Sequence, residues 1–462
     1  MALGRREGER QEALWVPSET LRSPGHPFYD QLNSLLAHID FDRRVEALFA
    51  PYYRECGRPG IPAGVYYRML FVGYFERLAS QRAIAWRCAD SLSLRSFLGL
   101  RNDERVPDHS SLTRIRQRIP MEVDQAVHEM VLGLAATQDL LDGKTLGMDA
   151  TLMAANAAMR NIVRRDSGKD WKEYVGQLAR EEGVAIESDE DLRRFDKTRK
   201  KKRTSNRDWE SPTDPDARIT RLKDGTTRLG YKVQHAVDME SGIVVDADAH
   251  PGDKPDSEAM EEGVRSAQEH LDGGETEAEV EEVVADKGYH KTSVLAGLES
   301  DGIRTYIPER RERRQRRWTD KPEGWKEAVY GNRRRVRGER GRRLQRGRGE
   351  KVERSFAHAV DGGGRRRLTL RGLQNVKRWV LMTAVAMNLG TILRDALGVG
   401  TPKMLADLAA ALHSLEICAR EALNGAASGL WCLVGRFCQP IRPETHSRHL
   451  AAHALPAMGR AA

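Results

Sequence analysis

The chain has 462 residues, of which 39% are hydrophobic and 31% are charged, and its formal net charge at pH 7 is +8. The length exceeds one typical domain, and the composition is that of a globular protein. Because no run of about 18 or more apolar residues occurs and the N-terminus is polar, we expect neither a membrane span nor a signal peptide. The five cysteines form no Cys-x-x-Cys pair, which predicts neither a zinc site nor a disulfide framework. The excess of positive charge favours a polyanionic partner, most often nucleic acid.

The first part of the chain is predicted to be helical. Residues 1–26 carry few apolar positions and are predicted to form a flexible arm. Over residues 27–135 apolar residues recur at helical spacing without a strand signal, which predicts an all-α domain. One helix is predicted directly after Pro107, because Asp108 or Ser110 can cap its start and apolar residues at helical spacing follow.

The outer face of this helix carries arginines. Arg114 and Arg118 lie four residues apart and therefore point outward together, and Arg116 lies between them. The pattern is typical of a helix-turn-helix with its recognition helix, and it makes Arg114, Arg116 and Arg118 candidate DNA-binding residues. An ordinary surface helix is the alternative, since sequence specifies this motif weakly.

A mixed sheet is predicted after a helix over residues 122–134. Residues 145–152 alternate between apolar residues and others that include Asp149, as in a half-buried strand. Residues from about 160 to 216 are polar and charged, which favours an insertion or a mobile segment. The later elements are a hairpin of residues 230–238 and 242–249, a helix at 257–271, a strand at 280–286, a helix at 292–299 and a strand at 304–308. The resulting order, β-β-β-α-β-α-β, is RNase H-like. Helices are also predicted over residues 350–360 and from Val376 through Leu393, the second as a core helix.

Two of the predicted strands carry an aspartate, Asp149 and Asp286, and the helix at 350–360 carries Glu353. Acidic residues are costly beside an apolar strand unless something positive holds them, so these three residues suggest a carboxylate cage for divalent metal. In two-metal phosphoryl transfer Asp149 would bridge both ions, while Asp286 and Glu353 would each hold one.

Other assignments remain open for these acidic residues. Glu350 lies one helical turn before Glu353 and is the alternative third carboxylate. Asp238, Asp246 and Asp248 are alternatives for the second position, although their place near a turn favours solvated edge residues. Asp149 and Asp286 could also be simple caps at strand ends, while His235, His250 and His358 show no ligand spacing and are expected to be packing or surface residues.

Basic residues are concentrated in residues 197–203, 310–317 and 333–348. Two of these runs lie between Asp286 and Glu353, so we expect them to bind DNA phosphates beside the acidic residues. The candidate phosphate-binding residues are Arg333, Arg334 and Arg335. Solvated loops are the alternative interpretation.

Several of these motifs resemble one family. Gly-Met-Asp149-Ala-Thr, Ala-Asp286-Lys-Gly-Tyr and Val-Glu353-Arg-Ser-Phe look like motifs of the DDE transposases of bacterial insertion sequences. The segment from Pro107 to Arg116 is similar to the helical DNA-binding domain of one large branch of them. The resemblance runs from about residue 28 to residue 402.

The resemblance implies an α/β RNase H-like catalytic domain, a mixed sheet with flanking helices, over residues 140–398. It is preceded by an all-α helix-turn-helix-type domain at 27–135 and followed by a tail of uncertain structure at 399–462. The implied cofactor is Mg²⁺ or Mn²⁺. The implied activity is cleavage at terminal inverted repeats and joining of the 3′-OH ends to target DNA.

The implied partners are double-stranded DNA, as inverted repeats and as target, and a second copy of the chain in the DNA complex. The expected location is the nucleoid in the cytoplasm. Two other functions are alternatives: a metal-dependent endonuclease of the same fold that hydrolyses without joining, and a catalytically inactive DNA-binding repressor derived from a transposase. The presence of all three acidic residues, Asp149, Asp286 and Glu353, argues against the inactive repressor.

Overall fold

The computed structural model describes residues 2–4, 25–54, 56–57, 59–199, 205–222, 224–310, 317–362, 367–412 and 414. The chain divides into two compact units, residues 1–404 and residues 405–462. In the second unit the described residues 405–412 are helical. The predicted arm and the predicted tail lie mostly outside the described residues, but β1, Ala2–Gly4, pairs in parallel with β2, Pro59–Pro62.

The N-terminal region of the first unit is helical, as predicted. Its helices are α1 Pro27–His38, α2 Phe41–Phe49, α3 Ala63–Phe75, α4 Gln81–Asp90, α5 Leu92–Phe97, α6 His109–Arg118 and α7 Met121–Thr137. Aromatic side chains fill its interior: Tyr29, Phe41, Tyr67 and Phe71 are all fully buried or nearly so. The helical spacing of apolar residues in the sequence therefore corresponds to real core-facing surfaces.

Helix α6 is the helix predicted after Pro107, and its cap is confirmed. The Asp108 side chain accepts a hydrogen bond from the backbone N–H of Ser111 at 2.8 Å. Residues 98–108 separate α5 from α6. A helix-turn-helix joins its two helices by a turn of about three to four residues. The region is therefore a helical bundle in which α5 and α6 do not form that motif with its short turn.

The central sheet is mixed, as predicted. The strands that follow α7 are β3 Thr145–Ala154, β4 Val163–Arg164, β5 Trp209–Glu210, β6 Arg218–Arg221, β7 Thr227–Asp238, β8 Val244–Pro251, β9 Glu282–Ala285 and β10 Arg304–Tyr306. The sheet runs β10-β9-β3-β7, and both β6 and β8 pair along β7. β3, β7 and β8 are antiparallel neighbours, whereas β9 pairs in parallel with β3 and β10. The predicted hairpin is confirmed, and the predicted order β-β-β-α-β-α-β corresponds to β3, β7, β8, the helix after β8, β9, the next helix and β10, but the prediction missed β6.

Helices cover both faces of this sheet. The remaining helices are α8 Trp171–Glu181, α9 Asp189–Thr198, α10 Asp256–Gly273, α11 Thr292–Ser300, α12 Trp325–Arg337, α13 Glu339–Gly362 and α14 Leu373–Leu397. α10 lies on one face, where a Cβ on its Gly263 would stand 2.8 Å from the Met148 side chain. α13 lies on the other, where a Cβ on Gly147 of β3 would stand 2.7 Å from Val352. Because successive strand residues point to opposite faces, Gly147 and Asp149 both belong to the α13 face.

Helix α13 is longer than predicted, because it begins at Glu339 and includes most of the last arginine-rich run. Helix α14 is the predicted core helix, and Asn388 joins it to β8 by bonding the backbone N–H and C=O of Val244, both at 2.8 Å. By length and composition the stretch Leu373–Leu412 could cross a membrane, but 72% of its apolar window is buried inside the protein. Burial of α14 against the sheet accounts for its apolar composition.

The segment predicted to be an insertion or mobile is folded wherever it is described. α8 and α9 pack on each other through Val175, Ala179, Leu192 and Phe195, and β4 pairs with β5. The helices and strands in residues 160–199 and 205–216 favour the insertion, one of the two predicted alternatives, over the mobile segment. This small core contains only a few apolar residues, and they lie among many charged ones. The sequence pattern therefore did not predict it.

Two hairpin aspartates are buried, contrary to the expectation of solvated edge residues. Asp238 is fully buried and caps the hairpin turn by accepting from the N–H of Ser241 at 2.8 Å. Asp246 lies 3.4 Å from Nε2 of His270, whose Nδ1 is 3.2 Å from a Glu129 carboxylate oxygen. Burial opposes protonation of His270, but the two carboxylates outweigh it and raise its pKa to about 9. This ion pair joins α7 to α10 and β8.

Candidate active site

The strand register brings Asp149 and Asp286 together. Met148 of β3 pairs in parallel with Ala285, the last residue of β9. The two aspartates follow these paired residues, so they lie side by side on neighbouring strands. Asp149 is central in the sheet, whereas Asp286 begins a tight turn where β9 ends. The prediction that these two residues share a site is consistent with this geometry.

The Asp149 carboxylate is in an electrostatically mixed environment. Burial raises the pKa of Asp149, and the nearby Asp286 raises it further. The N–H of Ala150, at 2.8 Å, and the Arg348 guanidinium, at 2.9 Å from Oδ2, act in the opposite direction. Arg348 belongs to α13, and its side chain is 13% exposed. Two adjacent carboxylates next to one guanidinium favour a further cation at this place.

A third aspartate borders the same edge of the sheet. The Asp286 side chain accepts a hydrogen bond from the N–H of Gly288 at 2.5 Å. A Cβ on Gly288 would lie 2.7 Å from Oδ1 of Asp286 and 2.9 Å from Oδ2 of Asp256. Asp256 is the first residue of α10 and forms an ion pair with Lys232 at 2.7 Å. The sequence analysis missed Asp256, although an acidic residue directly after Pro255 at a helix start was a visible signal.

The candidate third carboxylates lie on α13. This helix packs on β7 where Ser355 Oγ lies 2.9 Å from Nδ1 of His235, and the His235 ring stacks on Phe356 with centroids 4.3 Å apart. The Glu353 side chain is exposed, whereas Glu350 pairs with Arg354 at 2.8 Å on the surface. Among the described residues no group of three or more His, Cys, Asp or Glu side chains could hold a metal ion. Glu353 as a ligand therefore stays a prediction, as does the alternative Glu350.

The predicted packing roles of two histidines agree with their burial. His235 is buried beneath α13, and His250 is buried beside Asp248 at 3.8 Å. Asp248 itself is partly exposed and pairs with Lys377 of α14 at 2.8 Å. His358 is exposed on α13.

The arginines of α6 divide into two groups. Arg114 is exposed and donates to Ser110 Oγ at 2.9 Å, and Arg118 is exposed with its guanidinium 4.6 Å from the Tyr53 ring centre. Arg116 is half-buried, and burial lowers its pKa. The structure thus places Arg114 and Arg118 on the outer face, as predicted, but turns Arg116 inward.

The predicted phosphate-binding arginines of α12 also differ from one another. Arg333 forms two hydrogen bonds with the Glu309 carboxylate, at 2.8 and 3.0 Å, and Arg335 donates to the backbone C=O of Thr305 at 3.1 Å. Arg334 is exposed. Only part of the runs 197–203 and 310–317 can be placed, because residues 200–203 and 311–316 lie outside the described chain. At the edge of the second run, Arg310 donates to the C=O groups of Lys287 and Gly288 in the Asp286 turn, at 3.1 and 2.9 Å.

Two family models match this chain. Residues 18–118 match a transposase domain, DUF772, and residues 208–389 match a transposase DDE domain. A DDE domain implies an RNase H-like fold, in agreement with the mixed sheet and its flanking helices. The chain belongs to the DDE-type transposases of insertion sequences. Asp286 and Glu353 lie inside the matched DDE range, and Asp149 lies between the two matched ranges. The comparison with curated proteins finds no match.

Proposed function

We propose that this protein is a DNA transposase that binds the terminal inverted repeats of its element, cuts the DNA strands and joins the 3′-OH ends to target DNA. The observation that carries the proposal is the lateral pairing of Asp149 and Asp286 inside a transposase fold. DDE transposase domains generally use divalent metal ions and act on DNA. We extend the proposal to a homodimer in the DNA complex and to the nucleoid of the cytoplasm.

The donor set of the site fits a hard divalent cation. Asp149 and Asp286 supply carboxylate oxygens, which Mg²⁺ and Mn²⁺ prefer, and we propose Glu353 as the third ligand. A cation held by these residues would supply activation of the attacking oxygen and stabilisation of the leaving oxygen. The chain itself positions Asp149 through the Ala150 N–H and neutralises it through Arg348. Asp286 is oriented by the Gly288 N–H.

A cleavage assay with metal exchange tests this proposal. DNA carrying the ends of the element should be cut with Mg²⁺ or Mn²⁺ and left intact in EDTA, while Ca²⁺ should permit binding but little cleavage. The released 3′-OH ends should become joined to a second DNA, which sequencing of the junctions detects. Products formed by water alone would identify the hydrolytic endonuclease instead. Cleavage that resists chelation would refute the proposed chemistry.

Sequence-specific DNA binding by α6 is a separate prediction. Arg114→Ala should reduce the preference for end DNA over a scrambled duplex by about 1–3 kcal/mol, because an exposed arginine can read guanine bidentately. Arg334→Ala should weaken binding to both duplexes equally and flatten the salt dependence, as expected for a phosphate contact. Affinities for the two duplexes across a salt series measure both effects. If Arg114→Ala loses the same affinity for both duplexes, α6 does not recognise the base sequence.

A further inference from the structure

The hydroxyl of Tyr289 is a buried polar group without a partner. The side chain is 0% exposed, and within the described chain its hydroxyl oxygen makes no hydrogen bond. Buried tyrosine hydroxyls usually find a partner. Three other fully buried tyrosines of this protein donate to carboxylates: Tyr29 to Glu76 at 3.0 Å, Tyr67 to Asp124 at 2.9 Å and Tyr231 to Asp214 at 2.5 Å. Tyr289 is the exception that needs an explanation.

Tyr289 lies at the candidate active site. It closes the short turn Lys287–Tyr289 that Asp286 begins, and its N–H bonds the Asp286 C=O at 3.2 Å. The preceding Gly288 is bordered by the carboxylates of Asp286 and Asp256. Burial raises the pKa of Tyr289 well above its usual range, and Asp256, Asp149 and Asp286 raise it further. The charges of three carboxylates therefore act on the phenol, yet its hydroxyl donates a hydrogen bond to none of them.

The guanidinium of Arg348, beside Asp149, also has a buried donor without a partner in the described chain. Arg348, which binds Asp149, has a buried Nε that makes no hydrogen bond within the described chain. Its charge acts on Tyr289 in the direction opposite to that of the carboxylates. Two unpaired donors thus border one pair of acidic residues. An unpaired buried donor is costly, and although other buried donors such as Nε of Arg95 also lack a partner in the described chain, an acceptor bound at this site would satisfy both of these.

We propose that the Tyr289 hydroxyl donates a hydrogen bond to an oxygen coordinated to the cation at Asp149 and Asp286. This inference rests on the proposed function and adds a ligand-contacting residue to it. The oxygen belongs either to a water molecule or to the DNA phosphodiester, and both offer the lone pairs that the hydroxyl needs. Asp149 and Asp286 cannot provide this role themselves, because ionised carboxylates only accept hydrogen bonds.

Tyr289→Phe tests the inference, because it removes the hydroxyl and keeps the ring. In EDTA the full-length variant should be at least as stable to urea as the wild type, since no intramolecular hydrogen bond is lost. Its Kd for Mn²⁺, measured by calorimetry, should rise roughly two- to tenfold, the loss expected for one hydrogen bond. Weakening with Mn²⁺ alone identifies water as the acceptor. Weakening only with Mn²⁺ and a duplex copied from the DNA that flanks the gene identifies the phosphodiester.

Tyr67→Phe is the matched control. It also removes a fully buried hydroxyl, but one that donates to Asp124 in the helical region. It should lower the urea stability and leave the Kd for Mn²⁺ unchanged. A Tyr289→Phe variant that binds Mn²⁺ like the wild type, with and without DNA, overturns the inference alone. If Asp286→Asn binds Mn²⁺ with the same Kd as the wild type, the proposed function is overturned, and the role of Tyr289 falls with it.

Discussion

Asp149→Asn and Asp286→Asn should each abolish DNA cleavage, with a loss of about a thousandfold or more. Each substitution keeps the size of the side chain but removes a negative charge that would hold the metal, and metal stabilisation of the transition state amounts to several kcal/mol. Rates of cleavage of end DNA under saturating Mg²⁺ measure the effect. Circular dichroism and urea unfolding should show that both variants are folded.

Asp248→Asn provides the control for these two variants. Asp248 is a partly exposed aspartate of the same sheet, but it pairs with Lys377 of α14 instead of facing Asp286. We expect cleavage by this variant to remain near that of the wild type. Normal cleavage by Asp149→Asn would end the proposed mechanism. Glu353→Gln and Glu350→Gln, assayed in the same way, decide which residue of α13 is the third carboxylate.

Arg378→Met should destabilise the protein by about 3–5 kcal/mol, the usual cost of leaving a buried charge without its partner. Arg378 of α14 lies 3.2 Å from the Asp124 carboxylate of α7, whose side chain is 2% exposed. Burial raises the pKa of Asp124 to about 6, although Arg378 and Tyr67 act against that rise. Arg378 also donates to the C=O groups of Arg116 and Ile119 where α6 ends.

Urea unfolding of the single and double variants measures this effect. The double variant Arg378→Met with Asp124→Leu should recover part of the lost free energy of unfolding. It also removes the Asp124 carboxylate, which the single variant leaves buried without its partner. Arg371→Met is a suitable control, since Arg371 is exposed and donates only to the C=O of Asn156 among the contacts described for it. If Arg378→Met is as stable as the wild type, the ion pair between α7 and α14 does not contribute to the stability of the fold.

The elements that the sequence predicted well are those whose signal is local. The alternation in β3 and in the β7–β8 hairpin follows directly from a strand's two faces. The cap at Asp108 and the apolar spacing of α14 are likewise properties of neighbouring residues. The acidic motifs at Asp149 and Asp286 were visible for the same reason, because an aspartate stands out against an apolar strand.

Partners of charged residues were not predictable, because they are distant in the chain. Arg333 binds Glu309 and Arg335 binds the C=O of Thr305, so both arginines differ from the exposed Arg334 although the three are consecutive. From its position near a turn, Asp246 was predicted to be solvated, but α10 places His270 next to it. The core of α8 and α9 was missed because four apolar residues suffice to build it.

The sequence by itself determined the order of β3, β7, β8, β9 and β10 with the helices between them, the strand that carries Asp149 and the turn that begins with Asp286, but it missed β6 and the helices α8, α9 and α12. Only the tertiary structure decided what stands beside those carboxylates. The parallel register of β3 and β9 places the two aspartates together, and the packing of α13 brings Arg348 to Asp149. The start of α10 adds Asp256, and burial leaves the Tyr289 hydroxyl unpaired. Local periodicity shows which face a side chain occupies, but strand register and helix packing determine its neighbours, because those contacts join residues far apart in the chain.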